Sequence, residues 1–257
     1  MNFTKVKVEN RIGYIILNRP DKRNALNYDF VAELKEAFTQ LEANDEAKVI
    51  VLQAEGKAFC AGADLGYIQQ LQKNTYEENL EDSMHLKELF RMIYTYPKVV
   101  IAQIQGHALA GGCGLATVCD FSYTVPEAKF GYTEVKIGFI PAIVKVFLLR
   151  KVGEGKAKEL LLSGRLYNAE QAKDFGLVNE VVDADKLEQH VYDFAQELIQ
   201  NNSGQSMQFT KQMIAEVQSK GLDEGLQYAA EQNAMARNSE DCKKGIAAFL
   251  NKETPSW

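Results

Sequence analysis

A glycine-rich turn between a strand and a helix is the feature of this sequence best suited to stabilise a negative charge. The turn lies in Gly106–Ala116 and follows Val99–Ile104, an apolar, β-branched run that is typical of a buried strand. Leu115–Cys119 then continues as an apolar helical segment. The first N–H groups of a helix have no internal partners and carry partial positive charge, and glycines let a ligand approach them. The turn therefore predicts a site for an anionic oxygen, although the same glycines could serve only tight packing of the helix on the sheet.

The hydrophobic pattern around this turn alternates between strands and helices, which indicates an α/β fold. Phe3–Glu9 alternates apolar and polar residues as a half-buried strand does, and Tyr14–Leu17 follows as a second strand. Asn27 is a predicted N-cap for the first helix, and Val49–Gln53 reads as a buried strand. A long helix is predicted over Tyr76–Tyr96. The other predicted strands are Phe121–Val125, Lys129–Phe130 and Val178–Val182, and the other predicted helices are Val144–Val152, Lys156–Leu162, Ala169–Phe175, Leu187–Ile199, Met207–Gln218, Leu222–Met235 and Asp241–Leu250.

Length and composition exclude several classes of function. A chain of 257 residues with 46% hydrophobic residues can bury a substantial core. The net charge of −6, without a dense basic run, argues against nucleic-acid binding. No apolar run approaches the ~20 residues of a membrane span, and no targeting segment is visible at the N-terminus. The four cysteines are far apart and form no CxxC pair, so we expect reduced thiols in a cytoplasmic protein and no metal site.

Three segments, in order and at the expected spacing, resemble the crotonase (enoyl-CoA hydratase/isomerase) family. They are Phe59–Leu65, Gly106–Asp120 and Ala128–Gly138. The resemblance implies a crotonase-like spiral of repeated strand–strand–helix units with C-terminal oligomerisation helices. It divides the chain into a core over residues 1–200 and a helical region over residues 201–257, and it implies a homotrimer or a dimer of trimers.

The resemblance also assigns a joint role to two loops and a carboxylate. It implies that the backbone N–H groups of Ala63 and Gly111 bind the thioester oxygen of an acyl-CoA, and that Glu134 transfers protons. The pKa of Glu134 should be raised if the residue lies in a dry pocket. Without the resemblance, Glu134 would be more typical of a solvated surface charge. Coenzyme A is part of the substrate, and no separate cofactor is expected.

Gly114 is a departure from the family pattern, because hydratases of the family carry their first catalytic glutamate there. One remaining carboxylate suits either hydration or double-bond isomerisation. Gly114, the run Thr133–Ala142 and the ending Lys252–Trp257 are similar to bacterial 3-methylglutaconyl-CoA hydratases of leucine breakdown. We hypothesise that the distal carboxylate of such a substrate takes over part of the missing glutamate's work, since Gly114 leaves space and a missing charge.

The same resemblance predicts contacts with the coenzyme A portion of the substrate. Each predicted contact has a plainer alternative: a solvated cation, a core phenylalanine, or an aspartate that only caps a helix. Lys145 and Arg150 are further candidates to meet a substrate carboxylate, and their positions are left open. The predicted coenzyme A contacts are Lys22, Arg23, Ala61, Asp64, Leu65, Phe249 and Lys252.

Overall fold

Two β-sheets and ten α-helices make up most of the computed structural model, which describes residues 1–257. No helix combines the length and the apolar content that a membrane span requires. The strands are β1 (Thr4–Glu9), β2 (Ile12–Leu17), β3 (Val49–Ala54), β4 (Ala58–Cys60), β5 (Val99–Ile104), β6 (His107–Leu109), β7 (Phe121–Thr124), β8 (Lys129–Gly131), β9 (Tyr167–Asn168) and β10 (Glu180–Val181). The helices are α1 (Tyr28–Glu42), α2 (Leu65–Leu71), α3 (Tyr76–Tyr94), α4 (Gly111–Val118), α5 (Val144–Ser163), α6 (Ala169–Asp174), α7 (Leu187–Asn201), α8 (Gly204–Val217), α9 (Leu222–Ala236) and α10 (Glu240–Asn251).

The topology is a spiral in which the strands from β3 to β8 alternate between the two sheets. One sheet has the order β1-β2-β3-β5-β7-β10, and the other has the order β4-β6-β8-β9. Along the chain β4 follows β3, β6 follows β5 and β8 follows β7, and a helix comes after each pair. Strands β2, β3, β5, β7 and β10 are parallel, whereas β1 pairs antiparallel with β2 at the edge. The predicted α/β spiral of strand–strand–helix units is therefore confirmed.

Helices cover the large sheet and close the core. The residues Val49–Leu52 of β3 are completely buried, as expected for a central parallel strand that helices cover on both faces. Helix α1 contacts β1 and β2, and α7 contacts β3, β5 and β7. The predicted N-cap is present, because the Asn27 side chain accepts the N–H of Phe30 at 2.9 Å.

The long helix α3 differs from its sequence-based expectation in its first half. Helical spacing predicts that Leu80 and Met84 share one buried face with Phe90 and Ile93. Phe90 and Ile93 are fully buried, but Leu80 and Met84 are 47% and 41% exposed. The prediction was wrong for the first half because that part of the helix extends beyond the core of this chain.

A buried ion pair holds α8 on the core. Lys211 of α8 donates to the Asp120 carboxylate at 2.7 Å and to the Lys98 carbonyl at 3.1 Å. Asp120 also accepts the N–H of Val100 at 2.7 Å. The predicted boundary near residues 201–204 coincides with the end of α7 and the start of α8. A role of the region beyond it in assembly stays a prediction.

Lys211→Met is expected to lower the free energy of unfolding by about 3 kcal/mol, because it leaves a largely buried carboxylate without its cation. The double variant Lys211→Met/Asp120→Asn should recover most of this loss. The amide oxygen of the asparagine at position 120 still accepts the Val100 N–H, and neither side chain of the former ion pair carries a charge. Chemical denaturation of the single and double variants measures both effects. A single variant within about 0.5 kcal/mol of the parent would contradict the prediction.

Candidate active site

The glycine-rich turn begins α4 with an N–H group that no backbone oxygen accepts. β6 ends at Leu109, and Ala110 is the N-cap with φ 49° and ψ −124°. This backbone conformation costs a non-glycine residue about 1–3 kcal/mol. Ala110 is held in it from both sides: its N–H donates to the Gly131 carbonyl at 2.7 Å, and its carbonyl accepts the N–H of Gly114 at 3.0 Å. The N–H of Gly111, at the positive end of the helix dipole, is left free for a ligand.

The second loop approaches this turn closely, because Gly62 has no side chain and a positive φ of 91°. A Cβ on Gly62 would lie 2.8 Å from the Ala110 Cβ and 3.3 Å from the Gly111 nitrogen. Leu26 donates to the Gly62 carbonyl at 2.7 Å and accepts the Asp64 N–H at 2.8 Å. The N–H of Ala63, between these two bonds, has no backbone partner. Two unpaired N–H groups from separate loops are therefore brought to one region of the molecule.

Glu134 is positioned beside the turn by strand pairing. β6 pairs with β8 in parallel, with Leu109 opposite Gly131, and Glu134 begins the 3-10 helix Glu134–Ile137 three residues later. The Oε2 atom of Glu134 is buried and has no hydrogen-bond partner. Burial raises the pKa of this carboxyl, and its own backbone N–H only partly offsets the effect. Its charge also contributes, after burial, to raising the pKa of the Cys113 thiol on α4 to about 12.

An enzyme that uses the ionised form of Glu134 should lose activity on acidification at a higher pH than an ordinary glutamate would cause. Because burial raises the pKa, the acidic limb of the kcat profile should have its midpoint above the ordinary value of 4.5. A profile of kcat between pH 4 and pH 9 checks this shift. The same limb should be missing from the residual activity of Glu134→Gln. If the acidic limb persists in that variant, it arises from the titration of another group.

The position of Gly114 contradicts the expectation of free space there. A Cβ at residue 114 would lie 2.2 Å from Val144 Cγ1, 2.8 Å from Val144 Cβ and 3.1 Å from Phe90 Cε1. Val144, the first residue of α5, is only 4% exposed and fills this volume. The site lacks the second carboxylate, as predicted, but it offers no room at Gly114 for a substrate carboxylate. The expectation of space at Gly114 was therefore wrong, whereas a contribution of the substrate's own carboxylate to the reaction stays a prediction.

The loop that carries the predicted coenzyme A cations is fixed to the loop of Ala63. Lys22 and Arg23 are exposed, and the Arg23 carbonyl accepts the Ala61 N–H at 3.0 Å. Leu65, the first residue of α2, is 75% exposed. Asp64 is half-buried and caps α2 through the Gly66 N–H at 2.8 Å.

The Asp64 carboxylate is also engaged by a cation that sequence reasoning missed. Arg19 pairs with Asp64 at 2.8 Å, and both side chains are largely buried. The plainer alternative, a capping aspartate, therefore describes the Asp64 side chain. The Asn18-Arg19-Pro20 run in the sequence could have indicated this role, because it places a cation directly before the loop of Lys22 and Arg23.

Phe249 and Lys252 lie away from the loops of their own chain. Phe249 is 82% exposed on α10. Trp257 packs against Gly245 of α10 and accepts a hydrogen bond from Arg11 at 3.1 Å. Arg11 precedes β2, whereas the loop of Lys22 and Arg23 follows β2, a strand that spans ~20 Å. Within one chain, α10 is therefore anchored near the start of β2, whereas the loop of Lys22 and Arg23 lies beyond the other end of this strand.

A cavity of about 870 Å³ is separate from Ala63, Gly111 and Glu134. It lies between the core and the C-terminal helices, and Arg150, Lys151 and Lys211 are among its lining residues. Lys151 donates to the carbonyls of Thr117 and Cys119, so its ammonium group caps the C-terminal end of α4. Arg150 donates to the Val146 carbonyl, and Lys145 is exposed. Neither residue makes a hydrogen bond or an ion pair with Glu134.

The arrangement of Ala63, Gly111 and Glu134 suits chemistry at the carbons next to a thioester. Two free N–H donors can stabilise negative charge on an oxygen, and an unpartnered carboxylate of raised pKa can accept and return a proton.

Cys113 is buried with a raised pKa, which makes it a poor nucleophile. His107 accepts the Lys129 N–H through its Nδ1 atom at 3.2 Å, a structural contact at the strand edge. No group of three His, Cys, Asp or Glu side chains is close enough together to hold a metal ion.

Known proteins share the sequence and the fold of this chain over nearly its whole length. Residues 7–257 match the family model described as enoyl-CoA hydratase/isomerase. A Thermus thermophilus protein provisionally named enoyl-CoA hydratase is 42% identical over 98% of this chain and 100% of its own length. The crotonyl-CoA hydratase of Syntrophomonas wolfei is 34% identical over 97% of this chain and 95% of its own. The crystal structure of an enoyl-CoA hydratase from Shewanella pealeana superposes with a TM-score of 0.93 at 28% identity, covering 99% of this chain and 96% of that one.

Proposed function

Because the chain belongs to the enoyl-CoA hydratase/isomerase family, we propose that it hydrates an α,β-unsaturated acyl-CoA, with 3-methylglutaconyl-CoA as its substrate. The observation that carries the proposal is the buried carboxylate oxygen of Glu134, which has no hydrogen-bond partner. It lies three residues after Gly131, which pairs with the strand that ends at the turn of Gly111. The similarity of the run Thr133–Ala142 and of the C-terminal ending to 3-methylglutaconyl-CoA hydratases supports the choice of substrate.

The reaction uses the two loops and the carboxylate together. The N–H groups of Ala63 and Gly111 donate to the thioester oxygen and draw electrons from the double bond toward it. Glu134 takes a proton from water while the water oxygen bonds to the β-carbon, which leaves a thioester enolate. The protonated Glu134 then returns a proton to the α-carbon, and the thioester carbonyl re-forms. Water is consumed, and Glu134 ends ionised as it began.

The double-bond isomerase is the second candidate, and the apolar side chain at the position of the missing glutamate favours it. Val144 fills the space beside Gly114, so Glu134 is the only carboxylate proposed for the site. An isomerase needs no water: Glu134 would remove a proton from one carbon of the acyl chain and return it to another. The same N–H groups of Ala63 and Gly111 would hold the intermediate enolate.

Coenzyme A recognition completes the proposal. Lys22 and Arg23 project from the loop bonded to Ala61, where they can meet the phosphates. Phe249 and Lys252 act on the coenzyme A of a neighbouring subunit in a trimer or a dimer of trimers. The high exposure of Phe249 and the distance of α10 from the loop of its own chain support this assignment.

Product analysis in heavy-oxygen water tests the proposed reaction. The purified protein is incubated separately with 3-methylglutaconyl-CoA, glutaconyl-CoA and crotonyl-CoA. The products are separated, and their molecular masses are measured by mass spectrometry. Hydration places the heavy oxygen on the β-carbon, with 3-methylglutaconyl-CoA converted fastest. An unlabelled product with a displaced double bond would show that the reaction is isomerisation and not hydration. Equal rates with crotonyl-CoA would overturn the choice of substrate.

A further inference from the structure

Val144 forms an apolar wall where α4, α5 and the 3-10 helix of Glu134 meet. Gly114 lies one turn after Gly111 on α4, so both residues lie on one face of the helix. The Val144 side chain covers Gly114, with Cγ1 2.2 Å from the position that a Cβ of residue 114 would take. α5 also packs against the 3-10 helix that begins at Glu134. An acyl group whose oxygen is held at Gly111 and that extends along this face of α4 would reach Val144, of which 4% is exposed in the free protein.

The chemistry of this wall differs from that of a second carboxylate. A carboxylate at residue 114 could bind water, whereas the isopropyl group of Val144 offers no hydrogen bond. A water molecule on this wall would lose a partner, while an alkyl group on it would be removed from water. The buried ring of Phe90 lies behind the same point, 3.1 Å from the Cβ position of residue 114, so the wall is rigidly backed.

We infer that Val144 is a specificity-determining residue that selects acyl-CoA substrates carrying an alkyl branch on the β-carbon. The inference rests on the proposed hydratase function and deepens it. The branch packs on Val144, and Glu134 handles the protons alone on the other side. Gly114 and Val144 act as one unit, because no side chain at residue 114 fits while Val144 is present.

The pair 3-methylglutaconyl-CoA and glutaconyl-CoA tests the inference, since the two substrates differ by one methyl group. We expect the parent protein to prefer the methylated substrate by at least about 10-fold in kcat/KM, the discrimination that one methyl group gives in an apolar pocket. Val144→Ala should reduce this ratio to near unity, and Val144→Thr should reduce it by adding a hydroxyl of similar size. Val146→Ala is the matched control, because Val146 lies on the same helix and is 42% exposed.

A second measurement separates specificity from folding. Gly114→Ala alone should be destabilised, and Val144→Ala should restore its melting temperature, because both changes act on one volume. A methyl preference that Val144→Ala and Val144→Thr leave unchanged within twofold would overturn the inference while hydration stands. If the parent protein hydrates neither substrate, the proposed function fails first. If it hydrates both equally, the role of Val144 and the preference for the methylated substrate fail together, while hydration itself stands.

Discussion

Glu134→Gln is expected to lower kcat by about 10³-fold, with KM changed by no more than a few-fold. The reason is that one carboxylate both accepts the proton of water and supplies the proton of the α-carbon, so the amide removes both steps. The buried Oε2 atom of Glu134 has no partner in the free protein, so no other interaction is broken by the change. Steady-state kinetics with 3-methylglutaconyl-CoA measure the loss. Exchange of the α-proton with heavy water should disappear in the same variant.

The stability of Glu134→Gln distinguishes a lost catalyst from a damaged fold. Burial raises the pKa of Glu134, so the folded protein binds this proton more tightly than the unfolded chain does. Ionisation at neutral pH therefore costs stability, and the amide removes that cost. The variant should melt at or above the parent temperature at pH 8, and the difference should vanish as the pH falls through 4.5, the ordinary value. Glu127→Gln, an exposed carboxylate in the turn before β8, is the matched control and should retain full activity. Activity above a tenth of the parent value in Glu134→Gln would assign the proton transfer elsewhere.

The fold could be predicted from the sequence because its signals are local. The apolar run of β5, the glycines that follow it and the N-cap at Asn27 each act within a few residues, and the structure keeps all of them. The turn at Gly111 was located for the same reason, because a buried strand, glycines and an apolar helix follow one another within twenty residues, although this pattern alone also fits tight packing of the helix on the sheet. The spiral itself was implied by the resemblance of three ordered segments to the crotonase family, and local signals did not indicate it.

The parts that failed depend on distances between residues remote in sequence. Gly114 and Val144 are 30 residues apart, and no local pattern indicates that one side chain fills the space of the other. The exposed first half of α3 has a helical repeat like that of a buried helix, so periodicity alone could not show that the core ends before Leu80.

Gly111→Val is expected to lower kcat/KM by at least about 10²–10³-fold without unfolding the protein. Gly111 has no positive φ, and a Cβ there would meet only Gly62 Cα at 3.9 Å and Leu26 Cδ1 at 4.0 Å, both ordinary contacts. The fold therefore has room for a side chain at this position. The valine methyl groups, however, occupy the approach to the free N–H groups of Gly111 and Ala63, so the thioester oxygen cannot reach them. Kinetics and a melting curve on the same preparation measure both halves of this expectation.

The neighbouring glycine is the control, because it is required for the opposite reason. A Cβ on Gly112 would lie 2.2 Å from the Cys60 carbonyl oxygen and 2.7 Å from Cys60 Cβ, inside the contact between α4 and β4. Gly112→Ala should therefore destabilise the protein, whereas Gly111→Ala should melt close to the parent. If instead Gly111→Val melts early and loses activity only in proportion to its unfolded fraction, the turn serves packing alone. Both glycines would then serve only tight packing of the helix on the sheet, and Gly111 could no longer be assigned to the thioester oxygen.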